Sequence, residues 1–384
     1  MTRRTWIPVA AVAAVLVAVV VAIVAVRPWS SSTTTADRGT ATPTSTTAPD
    51  GARSPQQLRS AFLDRYVEGG RVVRTDQGGD TVSEGQAYGL LIAYANDDRA
   101  RFDAIWEWTK DHLLTGDDLL AWRWTSDEGV ADEQSASDAD LDAARALVLA
   151  GKAWDDDRYT AAGKRIAAAI LQHETARTDL GTILLPGPWA DQEPYSYNTS
   201  YASPAAFSVL ADATGDDRWN ALNRGSRAVT AAVLDATDLP SDWSQVHGDG
   251  SVDPMPAVGG DGQVLYGYDA MRTPLRYAEA CSAPDRELAA ALAPTLGRTT
   301  RLASQLDLGG TPVTQDTNAL AYTARAAAEQ AAGSSRAAAA DLERADRTAA
   351  TTPTYYGDAW LAIGSTMLTS DVLGGCASDV GGGS

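Results

Sequence analysis

A short phrase recurs along this chain and limits what it can become. Asp97-Asp98-Arg99 precedes an apolar stretch carrying Phe102, Ile105 and Trp106. Asp156-Asp157-Arg158 precedes one carrying Tyr159, Ile166 and Ile170, and Asp216-Asp217-Arg218 one carrying Trp219, Leu222 and Val229. Ser282-Ala283-Pro284-Asp285-Arg286 is a looser fourth copy. The spacing of about 60 residues suits one helical hairpin per repeat. An aspartate at each start caps free N–H groups and sits at the positive end of the helix dipole. The remaining apolar periods predict helices near 54–69, 84–95, 98–113, 138–154, 155–174, 203–214, 216–236, 267–280, 285–305, 317–332, 335–348 and 354–370, with almost no strands. An all-α fold of about six hairpins closed into a ring is therefore expected, with an open helical solenoid as the alternative. The long Gly- and Trp-rich loops at 115–134, 180–202 and 239–266 favour the ring, because such loops build a site on one end of a domain.

The ends of the chain read differently from its body. Arg3 and Arg4 precede an uncharged apolar run from Trp6 to Val26, about the length that spans a bilayer as a helix. Their position predicts that the rest of the chain faces outward. A cleaved signal peptide gives the same topology, but its apolar core is shorter and ends at a small-x-small site. Residues 1–29 are therefore expected to be a transmembrane signal-anchor. The Ser/Thr/Pro-rich stretch 30–53 has almost no large apolar residues with which to offset its ordering entropy, and is expected to be a disordered stalk. The globular domain is placed at 54–374 and a flexible tail at 375–384. The expected location is the cell membrane, single-pass with the domain outside, or secreted if the segment is cleaved. A monomer is expected.

A net charge of −19 argues against a nucleic-acid groove, which needs Lys and Arg to neutralise phosphates. Two cysteines and three histidines without metal-ligand spacing argue against a zinc or haem site, so neither metal nor cofactor is expected. Cys281 and Cys376 pair as one disulfide in an exported protein and stay buried thiols in a cytosolic one.

Three stretches bear carboxylates where helices begin. Thr81 to Gly89 carries Glu84, Ser135 to Asp140 carries Asp138 and Asp140, and Gly267 to Arg272 carries Asp269. Each has an ordinary explanation. Ser83 and Gln86 fit a capping box, Ser137 or Asp138 fits a cap, and Asp269 and Arg272 fit an i,i+3 ion pair. Yet glycoside hydrolysis needs two opposed carboxyl groups, and sugar rings need flat faces to stack on. Trp122 and Trp124 lie in the loop before Asp138. Tyr195, Tyr197 and Tyr201 cluster around Asn198, and Trp189 and Trp243 lie in other loops. Eleven Trp against three Phe is a skew toward flat faces with a polar handle.

Together these stretches resemble glycoside hydrolase family 8, whose members include bacterial endoglucanases, chitosanases, lichenases and xylanases. Ser83 to Gly89 resembles the segment carrying that family's general acid, which implies that role for Glu84. Ala136 to Asp140, continuing to Trp154, resembles the family signature, whose first Asp, here Asp138, contacts the sugar at the cleavage point. Tyr268 to Arg272 resembles the segment with the general base, implying Asp269, with Tyr201 and Arg272 holding the base and its water. Ala143 and Thr199 stand where a larger aliphatic residue and a proline are usual. The resemblance covers about residues 56 to 370 and implies an (α/α)6 barrel cutting a polysaccharide with inversion. In that chemistry the two carboxyl groups stand roughly 6.5–9.5 Å apart. An endo-β-1,4-glucanase is the first expectation. The alternatives are the same chemistry on chitosan, xylan or lichenan, and a catalytically silent glycan-binding scaffold.

Overall fold

The computed structural model describes residues 51–258 and 262–376. In chain order its helices are α1 (Pro55–Tyr66), α2 (Ser83–Ala95), α3 (Arg99–His112), α4 (Ser137–Ala153), α5 (Asp157–His173), α6 (Pro204–Thr214), α7 (Arg218–Ala236), α8 (Thr273–Ala278), α9 (Ala283–Ala291), α10 (Ala293–Leu296), α11 (Ala319–Ala331), α12 (Ser335–Thr351) and α13 (Tyr355–Thr369). α2 packs on α4, α4 on α6, α6 on α8, α8 on α11, α11 on α13, and α13 back on α2. This inner layer closes on itself, and the solenoid alternative falls. α3, α5, α7, α9 and α12 each lie outside the inner helix that precedes them, while α1 packs outside α13 and α2. The arrangement is consistent with an (α/α)6 toroid.

Burial follows the layers. α2 and α4 are buried on nearly every side, whereas α5 and α12 present one apolar stripe inward. α11 is mostly alanine where it meets α8, α12 and α13, and small side chains let these backbones approach closely.

The recurring aspartates mark the turns between layers, with the first copy one residue out of step with the other two. A residue with left-handed backbone is followed by a capping residue. Asp97 (φ 52°) precedes Asp98, Asp155 (φ 53°) precedes Asp156, and Gly215 (φ 69°) precedes Asp216. Asp98 and Asp156 cap α3 and α5, accepting the N–H of Arg101 and Arg158, and Asp216, one residue before the N-cap of α7, accepts the N–H of Arg218. Gly333 and Ser334 repeat the geometry before α12 with different residues. Ser282 does not, because no left-handed residue precedes it.

Three expectations need correction. First, the fold is not purely helical. Four small antiparallel sheets lie in the loops: 67–68 with 71–72; 81–82 with 121–125 and 129–135; 175–178 with 181–184; and 195–197 with 243–246 and 252–255. Their strands are short, and the 121–125 strand is broken by register shifts, so no two-residue period shows in the sequence. Second, 267–280 is not one helix but a 3₁₀ turn at 270–272 running into α8, and 285–305 ends at Gly297. Third, no helix among the described residues is long and apolar enough to cross a membrane. The longest, α7, has 19 residues and carries Arg218, Arg224, Arg227 and Asp235. The expected transmembrane segment, the membrane as a partner and the single-pass membrane location are therefore set aside. Residues 1–29, on which they rested, and most of 30–53 lie outside the described residues, as do 377–384 of the expected tail.

The two cysteines are joined. Cys281 and Cys376 form a disulfide across a separation of 95 residues, with Cα atoms 4.9 Å apart. It ties the end of the described chain to the segment after α8, beside the hydrogen bond from Cys376 N–H to the Glu279 carbonyl.

Candidate active site

Glu84 lies in the first turn of α2 but does not serve as its cap. The N-cap is Val82, with no side-chain cap bond. The expected capping box does not form because Gln86 is used elsewhere. Its carbonyl oxygen accepts the Val72 N–H (2.6 Å), and its amide donates to Thr109 Oγ1 (2.8 Å). Glycines let the helix press against its neighbours. A Cβ at Gly85 would stand 2.7 Å from the Tyr355 hydroxyl, and one at Gly89 2.8 Å from a Val72 methyl. Glu84 is thus delivered to the ring interior with 22% of its side chain still open.

One guanidinium gathers the three predicted carboxylates. Arg272 is fully buried, and its Nη1 donates to Asp138 Oδ2 (2.7 Å), Glu84 Oε2 (3.1 Å) and the Tyr88 hydroxyl (3.2 Å). Its Nη2 donates to Asp269 Oδ1 (2.9 Å). Its charge lies 5.2 Å from the Tyr201 ring centroid and 6.0 Å from that of Trp360. The predicted i,i+3 pair between Asp269 and Arg272 exists, but it is one arm of a larger hub.

The carboxyl groups differ in surroundings. Burial, opposed by Arg272 and aided by the Asp138 and Asp269 charges, pushes the Glu84 carboxyl up to about 7. Burial also raises Asp138 above the usual range, against the pull of Arg272. Asp269 keeps 31% of its side chain open. Its second oxygen accepts the indole N–H of Trp243 (3.0 Å), so both oxygens are engaged.

The aromatic candidates separate. Tyr201 stacks edgewise on Trp243 at 5.9 Å, beside the hub. Trp122 is half-buried and makes no ring contact among the described residues. Trp124 is taken up by protein neighbours: Trp108 at 5.3 Å, His112 at 6.0 Å and the Arg71 cation at 5.1 Å. The structure does not bring it to the Arg272 hub.

Sequence reasoning missed several groups that surround this cluster. Tyr88 lies four residues after Glu84 on α2, and that helical spacing was the available signal. Its hydroxyl accepts the Trp360 N–H (3.0 Å) from the far end of the chain, for which no local signal exists. Trp243 was read as a stacking face, not as a donor to Asp269. Asp242 accepts the N–H groups of Gly267 (2.9 Å) and Ala270 (2.8 Å), fixing the turn that presents Asp269. Burial, with the Asp269 charge behind it, pushes the Asp242 carboxyl up to about 7.

Below the hub, α4 and α8 are joined by further rungs. Asp142 takes two hydrogen bonds from Arg276 (2.8 and 2.6 Å), and Glu279 takes two from Arg145 (2.9 and 2.7 Å). With Asp138 and Arg272 these make three buried ion pairs at matching helical steps across the ring interior.

A ring of helical hairpins with a buried carboxyl raised toward neutrality, and a second carboxylate sharing its arginine, is the frame of an acid–base hydrolase. The profile of glycosyl hydrolases family 8 matches residues 43–367, and the chain belongs to that family. It is 31% identical over 211 residues to an endoglucanase of Cellulomonas uda, across 53% of this chain and 58% of that one. It is 32% identical over 229 residues to a probable endoglucanase of Novacetimonas hansenii, across 58% of this chain and 66% of that one. These matches thus span less than two thirds of either relative's length. Among solved structures, an endo-β-1,4-glucanase of Acetobacter xylinum superposes with a TM-score of 0.69 at 25% identity, over 83% of this chain and 98% of that one.

Proposed function

We propose that the protein is an inverting endo-β-1,4-glucanase in which Glu84 is the general acid and Asp269 the general base. The observation that carries this is the shared, fully buried guanidinium of Arg272, which bonds both partly open carboxyl groups. Glu84, raised to about 7 by burial, holds its proton at mildly acid pH and gives it to the leaving glycosidic oxygen. Asp269, the more open of the two, takes a proton from a water attacking the opposite face of the sugar. Tyr201 and Arg272 orient that water and the base. Asp138 meets the sugar at the cleavage point and adds negative charge beside Glu84. Trp122 lends a ring face to the glucan, while Trp124 braces the hairpin that carries it. The catalytic domain is placed at 54–374. The likeness to a relative named endoglucanase and to the superposed endo-β-1,4-glucanase supports the β-1,4-glucan as substrate.

The test is reducing-end release by the purified protein and by Glu84→Gln on carboxymethyl-cellulose, lichenan, xylan and chitosan. Release from carboxymethyl-cellulose that falls at least about a thousandfold in the variant is expected. Activity confined to another polymer would keep the chemistry and replace the substrate. Glycan binding without release from any polymer, by a folded protein, would sink the hydrolase proposal and leave a binding scaffold.

A further inference from the structure

Two carboxyl groups take no part in the proposed chemistry and yet show no surface to solvent. Asp140 lies two residues past Asp138 on α4, and Glu174 ends α5. One oxygen of each is used at the root of the 121–135 hairpin. Asp140 Oδ1 accepts the N–H of Leu120 (2.8 Å), just before the first strand. Glu174 Oε1 accepts the hydroxyl of Ser135 (2.7 Å), the last residue of the second strand. Ala121 and Ser135 are partners in register, so the two acids grip both strands at one level.

The other two oxygens, Asp140 Oδ2 and Glu174 Oε2, have no N–H or O–H donor in the structure. The two carboxyl groups act directly on each other. Ionised carboxylates only accept, so these two unpartnered oxygens can satisfy one another only with a proton on one of them. Without it, two negative charges would face each other in a buried site. Among the described residues no Lys, Arg or His forms an ion pair with either acid. The charged group that acts on both is Asp138 on α4, itself negative, with Arg272 beyond it. Burial pushes both carboxyls up, Glu174 to about 8.

We propose that Asp140 and Glu174 share one proton and act as a positioning clamp at the root of the hairpin, holding Trp122 and Arg123 in place for the glycan while that proton is retained. The inference rests on the glucanase proposal for its substrate. The hairpin does more than present a ring. Its first strand pairs with Thr81–Val82, the segment leading into Glu84, and Arg123 bonds Asp80 (2.8 Å) on the same segment. When the proton is lost to solvent, the two carboxylates repel, the grip on Leu120 and Ser135 loosens, and substrate binding weakens.

The experiment compares wild type, Glu174→Gln and Asp140→Asn. An amide N–H replaces the shared proton in either variant and does not titrate. Two readouts are taken between pH 6 and pH 9: the melting temperature, and kcat and KM on carboxymethyl-cellulose. The folded pair holds a proton that the unfolded chain gives up above its ordinary carboxyl range, so this contribution to stability falls as pH rises toward about 8. Unfolding of wild type near pH 6.5 should therefore release about one proton more than that of either amide variant, and its melting temperature should fall more steeply with pH. KM of wild type should rise roughly tenfold by pH 9 and that of the amide variants about twofold at most, while kcat loses its alkaline side in all three through Glu84. Melting curves that run parallel in wild type and variants would show that no proton is shared. Different melting slopes with coincident KM profiles would remove the positioning role. The melting readout needs no activity, so it separates failure of the clamp from failure of the glucanase proposal. A variant that does not fold leaves the other to decide.

Discussion

Trp243 shows how much a single side chain adds at this site. Its indole N–H is the second donor to Asp269, opposite Arg272. A hydrogen bond to a charged group contributes about 1.5–3 kcal/mol. Trp243→Phe keeps a ring beside Tyr201 and removes the donor. With one donor to the base lost, kcat is expected to fall roughly tenfold with KM little changed. An unchanged kcat would show that Trp243 only packs. Glu84 sets the alkaline side of the kcat/KM profile. Because it works protonated and its carboxyl is raised to about 7, kcat/KM should fall as pH passes that value. The same shift has a stability sign. A carboxyl raised on folding adds stability at low pH that is lost as pH rises through the folded value. Glu84→Gln is therefore expected to melt later than wild type at pH 8 and to lose that advantage at pH 5. At this scale the sequence was informative where chemistry is local. The three acids and Arg272 could be named from their phrases. Tyr88–Trp360 and Trp243–Asp269 could not, because their partners come from distant segments and no spacing records them.

Among the elements, α4 and α8 carry the site between them. Asp138, Asp142 and Arg145 on α4 face Arg272, Arg276 and Glu279, so a helical step on one side is met by the same step on the other. The last rung reverses polarity, which penalises a slip of either helix by one turn. Removing one partner of a buried pair leaves a charge without compensation and costs about 3–5 kcal/mol, whereas removing both is often nearly neutral. Arg276→Met should thus destabilise by about that amount in denaturant unfolding, and the double change Asp142→Leu with Arg276→Met should recover most of it. A double variant as unstable as the single one would contradict the pairing. The layer turns were half legible. The repeated aspartates marked them, but the left-handed position did not show as a pattern, since Asp97, Asp155, Gly215 and Gly333 fill it interchangeably. The sheets were hidden for another reason. Two of the pairings join segments far apart in sequence, 81–82 with 121–125 and 195–197 with 243–246, and strands of two to seven residues leave little period to read.

For the whole molecule, closure of the inner ring is the fact from which the site follows, since it turns the first residues of α2, α4 and the segment before α8 toward one interior. Six hairpins could be counted from apolar periods, but that they close rather than spiral depends on α13 meeting α2, a contact across nearly the whole domain. The disulfide adds a second long-range tie. A cross-link closing a loop of 95 residues restricts the unfolded chain, with an entropic effect of about 4–5 kcal/mol before any strain. Reduction, or the paired change Cys281→Ser with Cys376→Ser, should lower unfolding free energy by roughly 2–5 kcal/mol while leaving the Arg272 cluster in place. Unchanged unfolding after reduction would mean that the C-terminal segment is held by its other contacts alone. The membrane expectation drew on the N-terminal sequence alone, on its charges, length and hydropathy, and nothing in the described fold carries it.

The central claim is that Glu84 and Asp269 act from opposite faces of a β-linked sugar, with water attacking in a single displacement. The most direct measurement is the configuration of the reducing end at the moment it forms, followed by proton NMR during hydrolysis of a soluble β-1,4-glucan, before mutarotation equalises the anomers. The account predicts that the α-anomer appears first. First appearance of the β-anomer would mean retention through a covalent intermediate, and would contradict the assignment of Asp269 as a base.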